Sequence, residues 1–297
     1  MPRAAIIVNP LKMPERDRHR ADVTAELARY GWDEPLWFET TAEDPGVGMT
    51  KRALAEEADL VFAAGGDGTV RACAEALMGT GVPLALLCGG TGNLLARNLD
   101  IPIELPDAIR VGVLGGTTPV DVGVMEGTPF VVMAGLGLDA AMARGTGSEA
   151  KRSLGWLAYA GTLLRHLRDR PFRVTLHVDG RPQPRCRARM VLVGNVGRLQ
   201  GGMSLLPDAQ PSDGLLDVVV LGPRTPMDWL RVLGRLVTRS RGEGAGTRRY
   251  VASRLRIEVD PPTPYECDGD PVGSARVLTV EIKPGALSLR TPGGEEG

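Results

Sequence analysis

Asp59-Leu60-Val61-Phe62-Ala63-Ala64-Gly65-Gly66-Asp67-Gly68-Thr69 is a short apolar run that ends in a glycine-rich turn, and the turn leads directly into a helix-like segment, Val70–Met78. Glycines lack Cβ, so backbone N–H groups can approach an anion closely there, and the positive end of a helix dipole adds to the attraction. The stretch reads as a seat for a nucleotide phosphate, with Asp67 near a metal or the transferred group. A structural turn with Asp67 as helix cap is the alternative that this stretch alone leaves open.

Working outward, Val82-Pro-Leu-Ala-Leu-Leu87 is another buried-strand run, followed by Cys88-Gly89-Gly90-Thr91-Gly92-Asn93 and a helical segment, Leu94–Leu99. Two glycine loops after consecutive strands of a parallel sheet would lie side by side at its carboxyl edge and grip one ligand together. Upstream, Ala4–Val8 reads as a strand, Pro14–Tyr30 as a helix with Val23, Leu27 and Tyr30 on one face, Leu36–Glu39 as a second strand, and Met49, Ala53 and Leu54 as part of a second helix. A helix over Leu105–Leu114 completes a doubly wound α/β unit that ends near Asp121. Beyond it, Phe130–Ala134, Phe172–Val178, Arg189–Val193, Leu216–Leu221, Leu255–Val259 and Val277–Ile282 are short β-like runs, interrupted by helical segments at Lys151–Arg168 and Met227–Arg239. This texture predicts an antiparallel β-rich second domain over 122–283.

Composition narrows the function classes. A chain of 297 residues suits two domains, and a net charge of -1 gives no global basic field for nucleic acid. Cys73, Cys88, Cys186 and Cys267 lack paired metal spacing, and His19, His166 and His177 are isolated, so zinc or histidine chemistry is not expected. Buried thiols suit a reducing, cytoplasmic compartment. The longest apolar stretch, near Leu154–Leu164, falls well short of the roughly 20 residues that span a bilayer.

The glycine loops GGDGT and GTGN, together with Ile6-Ile7-Val8-Asn9-Pro10 and the run from Leu206 through Asp213-Gly-Leu-Leu-Asp217 to Val218, resemble the diacylglycerol kinase catalytic family, which includes bacterial lipid kinases and sphingosine and ceramide kinases. The resemblance runs from Asn9 to Asp270 and returns 284–297 to the first domain, beside residues 1–121. It implies ATP and Mg2+ as cofactors. Gly65, Gly66, Gly68, Thr69, Gly90, Thr91, Gly92 and Asn93 would cradle phosphate, and Asp67 would act on the nucleotide through magnesium. Asn9 either contacts the nucleotide or closes an Asx turn, and Thr40 or Thr41 would lie near the adenosine or ribose. Asp213, with the carbonyls of Gln210 and Leu215, would hold a magnesium away from the reacting phosphate, unless it only starts an Asp-Gly turn.

In Tyr265-Glu-Cys-Asp268-Gly269-Asp270, Asp270 stands where the family has a glutamate proposed as general base, on a stem shorter by roughly 1.5 Å. The other reading is a hairpin turn with its acids in solvent. Two more departures are Arg71-Ala72 in place of the family's Asn-Glu, and Cys88 where proline is frequent.

These features imply an ATP-dependent kinase acting on diacylglycerol or a related lipid alcohol at the membrane surface, peripheral to its inner face, with a homodimer left open. An NAD kinase, or a catalytically weak lipid-binding or regulatory protein, are the rival readings. For membrane contact, Leu154–Tyr159 and Asp228–Leu233 offer aromatic and apolar residues, and Arg231, Arg235 and Arg239 form a basic stripe, unless both segments simply bury their apolar faces in the second domain.

Overall fold

The computed structural model describes residues 1–13, 16–137, 171–198, 206–223, 225, 227–229, 231, 232, 234 and 246–293. They fall into two compact units: Met1–Val120 with the stretch from Gly285 onward, and Asp121–Pro284.

The first unit alternates strand and helix: β1 (Ala4–Val8), α1 (Arg16–Arg29), β2 (Leu36–Glu39), α2 (Val47–Ala55), β3 (Leu60–Gly65), α3 (Asp67–Leu77), β4 (Leu84–Cys88), α4 (Leu94–Asn98) and α5 (Leu105–Leu114). The strands run parallel in the order β2-β1-β3-β4. Every residue of β1 and β3 is buried, as expected of parallel strands covered on both faces. Ile6, Val8, Leu60, Phe62 and Leu87 of the sheet pack with Val23 and Leu27 of α1 and Ile109 of α5. Tyr30 lies past the end of α1, in a turn that Gly31 closes at φ +76°. Because β3 and β4 are parallel neighbours, the turns that follow them emerge at the same sheet edge.

One boundary shifts in a way that matters. α3 begins at Asp67 rather than at Val70, so Asp67, Gly68 and Thr69 form its first turn instead of a loop before it. Glycine's poor interior helix propensity hides this start, whereas an acid in the first turn is favoured by the helix dipole.

The second unit is antiparallel. It contains β5 from Asp121 on (Gly116–Met125 in full), β6 (Thr128–Phe130), β7 (Met133–Gly137), β8 (Phe172–Val178), β9 (Arg181–Pro182), β10 (Cys186–Ala188), β11 (Met190–Gly194), β12 (Leu216–Leu221), β13 (Thr247–Ala252), β14 (Arg254–Cys267) and β15 (Asp270–Thr291), which leaves the unit at Pro284. The order β13-β12-β11-β7-β14 is set by antiparallel ladders, and the first half of β14 also pairs with β8. Val174 and Leu176 of β8 and Leu255 and Ile257 of β14 share one core with Val191, Val193, Val218 and Val220.

Strand bounds differ from expectation at Phe130–Ala134, which is broken at Val131–Val132 into β6 and β7, and at β14 and β15, which run through Pro261–Pro264 and past Pro284. β5 and β13 were not anticipated. The helix expected over Lys151–Arg168 lies outside the described residues, as does much of the one expected over Met227–Arg239.

Candidate active site

Helices α2, α3 and α4 each follow the carboxyl end of a parallel strand, and their starts differ. At α2, the Asp44 carboxylate accepts the amides of Gly46 (3.0 Å) and Gly48 (3.0 Å). At α4, Asp67 Oδ2 accepts the amide of Asn93 (3.1 Å) and Oδ1 that of Leu94 (2.8 Å). At α3, the N-cap is Gly66 in extended conformation, a residue with no side chain of its own to cap the end; the amides of Thr69 and Val70 open the helical ladder on the Gly66 carbonyl at 3.0 and 3.1 Å. The amides of Asp67 and Gly68 precede that ladder. A helix start whose N-cap is glycine, flanked by further glycines, lets an anion approach the backbone closely at the favourable end of the helix dipole.

The two glycine loops meet, as expected. The Gly89 amide bonds the Gly65 carbonyl (2.9 Å), and a Cβ on Gly90 would stand 2.9 Å from Gly66 Cα and 2.8 Å from Asn93 Oδ1. Only glycine permits that backbone approach at position 90. Asn93 itself is left-handed at φ +48°, a conformation asparagine tolerates, and its Nδ2 donates to the Gly90 carbonyl (3.0 Å). Asp67 is therefore the bolt between the loops: it belongs to the first and takes two amides from the second. Cys88 carries a thiol pushed up to about 11, first by burial and then by the Asp67 charge, so it stays protonated and serves no thiolate chemistry.

The remaining residues of this edge take distinct places. Asn9 Oδ1 accepts the Leu11 amide (3.0 Å), the Asx turn that the sequence allowed, and the Asn9 backbone joins the β3 end through Ala64. Thr40 is buried and extends the ladder to Val8, whereas Thr41 is exposed and its Oγ1 accepts the Asp44 amide. Thr69 is 3% exposed and packs under Gly65, while Thr91 is exposed at the loop tip.

In the second unit, Asp213 Oδ1 accepts the Leu215 amide (3.0 Å), and Asp121, 2% exposed, accepts the Gly214 amide (2.7 Å) and donates its own amide to the Pro211 carbonyl (2.7 Å). Asn195 donates to the Asp121 carbonyl (2.7 Å). Nearby, Asp217 is raised to about 6, first by burial and then by the charges of Asp213 and Asp208, which Arg249 only partly offsets. Oxygen donors in a surplus of negative charge fit a hard divalent cation. Among the described residues, no group of three or more His, Cys, Asp or Glu side chains is arranged to hold a metal, so a cation here would depend on Asp213 and carbonyls such as those of Gln210 and Leu215.

The acidic cluster before β15 is a two-residue hairpin turn, Asp268 at φ +50° and Gly269 at φ +86°, flanked by the directly paired Cys267 and Asp270. Its acids are not equivalent. The Asp268 carboxylate accepts the amides of Val131, Val132 and Met133 at 2.8, 2.9 and 2.9 Å, which is why the chain breaks between β6 and β7. Glu266 is 2% exposed and accepts the Gly269 amide, while Asp270 is exposed.

Comparison with known proteins agrees in both units. Residues 3–125 match the diacylglycerol kinase catalytic domain and residues 131–291 the YegS C-terminal NAD kinase beta sandwich-like domain. The chain is 34% identical over 258 residues to a "Probable lipid kinase YegS-like" protein of Pseudomonas aeruginosa (strain UCBPP-PA14), covering 83% of this chain and 81% of that one. The chain belongs to the diacylglycerol kinase-like lipid kinase family.

A diacylglycerol kinase of Bacillus subtilis is 29% identical over 278 residues, 91% of this chain and 90% of that one. A longer relative, an uncharacterized protein of Synechocystis, is 28% identical over 78% of this chain, which spans 54% of its length. In fold, a crystal structure of a candidate diacylglycerol kinase from Bacillus anthracis str. Sterne superposes with a TM-score of 0.83 at 23% identity, covering 97% and 95% of the two chains.

Within this lipid-kinase family member, sequence reasoning missed Asp121, Asp217 and Glu266. Burial inside turns and strands gives such acids no local signature. Of the two readings that the sequence leaves for Asp228–Leu233, Trp229 takes the buried one, at 6% exposed, and Arg231 pairs with Asp228 (3.5 Å). Leu154–Tyr159, Arg235 and Arg239 lie outside the described residues. Among the described residues, no helix is long and apolar enough to cross a membrane.

Proposed function

We propose that the chain is an ATP-dependent lipid kinase that transfers the γ-phosphoryl group to the hydroxyl of diacylglycerol or a related lipid alcohol, working from the cytoplasm at the inner membrane face. The observation that carries this reading is the α3 start: a helix N-terminus capped by Gly66, in a glycine loop that meets a second glycine loop held in contact by Asp67. Gly65, Gly66, Gly68, Gly90, Gly92 and Asn93 shape the phosphate seat, with Asn9 and Thr40 beside it. Magnesium, when bound, neutralises phosphate charge; Asp67 is the carboxylate nearest that task in the first unit, and Asp213 with the Gln210 and Leu215 carbonyls is the oxygen set for a second, structural ion.

In the reaction the acceptor oxygen attacks the γ-phosphorus, the bond to the β–γ bridging oxygen breaks, and the acceptor proton passes to the Asp270 carboxylate, leaving ADP and the phosphorylated lipid. Little covalent work falls to the protein beyond positioning and charge compensation. The exposed, shortened acid at Asp270 supports a second reading, a catalytically weak lipid-binding or regulatory protein.

The test is ADP release by the full chain with ATP, Mg2+ and mixed-micelle diacylglycerol, long-chain alcohols or NAD. Lipid-dependent ADP release supports the kinase. ATP binding without turnover supports the regulatory reading, and NAD-dependent release the NAD kinase reading.

A further inference from the structure

The β14–β15 turn is fastened more heavily than a two-residue hairpin requires. Asp268 and Gly269 contribute nothing to the ladder, since Cys267 and Asp270 are already partners. Each loop residue is instead held by a carboxylate: Asp268 through its own, spread over three amides of 131–133, and Gly269 through Glu266, whose Oε2 accepts its amide at 2.5 Å. The Asp268 amide adds a fifth tie, to the Met133 carbonyl (2.8 Å). Local propensity alone, an Asp-Gly pair with both residues left-handed, would already form this turn.

Glu266 is the unexpected member. It stands in β14 opposite Gly135 of β7 and Pro271 of β15 and is 2% exposed. At a strand position buried that deeply an apolar side chain is the inexpensive choice, because a carboxylate taken from water is unfavourable unless hydrogen bonds compensate it. The amide it holds belongs to the Asp268–Gly269 peptide, one peptide ahead of the bond that joins Gly269 to Asp270. An aspartate reaches less far than a glutamate by one C–C bond, so its carboxylate depends on where the backbone of 269–270 is set.

We propose that Glu266 is a positioning residue: by holding the Gly269 amide it fixes the turn that leads into Asp270 and so aims the Asp270 carboxylate at the acceptor hydroxyl. This rests on Asp270 being the general base. Glu266 touches no reacting atom; its effect on Asp270 passes through the Gly269 amide.

The test is a double-mutant cycle on the full chain, with hydrogen exchange of the 268–270 turn as a readout that does not depend on activity. Glu266→Ala should lower turnover about 10- to 100-fold, the scale for a misplacement near 1 Å, with KM for ATP within about twofold. Glu266→Gln, which keeps an acceptor oxygen and guards against a variant that fails to fold, should lose less than about fivefold and keep the turn protected. In an Asp270→Ala background Glu266→Ala should add less than about threefold, since there is no carboxylate left to aim, and Asp270→Glu should recover part of the Glu266→Ala loss. Losses that multiply in the cycle, a turn equally protected in Glu266→Ala, or a Gln variant as impaired as Ala would overturn the proposal. Full activity of Asp270→Ala alone would instead refute the base assignment, while the exchange data still report on the fastening.

Discussion

Replacing Asp67 separates its two candidate duties, fastening the second glycine loop and serving the nucleotide. In Asp67→Ala the amides of Asn93, 7% exposed, and half-buried Leu94 lose their carboxylate acceptor. Hydrogen bonds to a charged group contribute about 1.5–3 kcal/mol each, and allowing for water reaching the partly buried site, the pair contributes about 2–4 kcal/mol. At about 3 °C per kcal/mol for a unit of this size, the melting temperature should fall by about 5–15 °C. Asp67→Asn keeps one oxygen and turns an NH2 toward the other amide, so it should lose at least half as much. Differential scanning calorimetry with and without saturating ATP, alongside isothermal titration of ATP, measures both duties. ATP affinity should fall in step with stability across wild type, Asn and Ala, because a displaced second loop opens the phosphate seat. An Ala variant that melts within about 1 °C of wild type but no longer binds ATP would refute the fastening and leave Asp67 a purely nucleotide-directed acid.

Asp270→Asn should leave ATP affinity unchanged and lower turnover by about 10²- to 10⁴-fold, checked by steady-state kinetics. Gly90→Ala should destabilise the first unit by about 1–3 kcal/mol and weaken ATP binding, since its Cβ would stand 2.9 Å from Gly66 Cα, whereas Gly66→Ala, with 3.6 Å to Gly90 Cα, should melt near wild type. Asp217 has its folded pKa raised from 3.8 to about 6, so between those values the native state binds the proton more tightly and stability falls as pH rises through that window. Thermal melts should therefore show Asp217→Asn gaining on wild type at pH 7 and not at pH 4, and Mg2+ narrowing the gap at pH 7; a pH-independent difference would contradict the charge surplus at this turn.

The parallel half of the fold was legible because β1, β3 and β4 are continuous apolar runs, each followed by a turn and a helix, and because both glycine loops carry their purpose in composition. What escaped was set at a distance. The break at Val131–Val132 is made by Asp268, far along the chain, whose bonds go to backbone amides and leave no mark on the residues that donate them. Pro261–Pro264 looked like the end of a strand because proline removes a ladder donor, yet β14 shifts register there and continues. At the site, the glycines and Asn93 could be named from sequence, but not that Asp67 spends both oxygens on the neighbouring loop or that the three acids of 266–270 differ so sharply in burial.

β15 carries a consequence for biosynthesis. Its closing residues join the parallel sheet through Leu289 beside Leu84, with Gly79 bonded to Ala286, Arg290 to the Gly115 carbonyl and Thr118 to Thr291. A nascent chain emerging from the ribosome displays both glycine loops long before the strand that borders β4 has been translated, and the whole antiparallel unit must appear in between. The order of translation is thus not the order in which the first unit can be completed. A ribosome stalled at any codon before those for the closing residues of β15 would hold a nucleotide-loop sheet with one raw edge, open to mispairing.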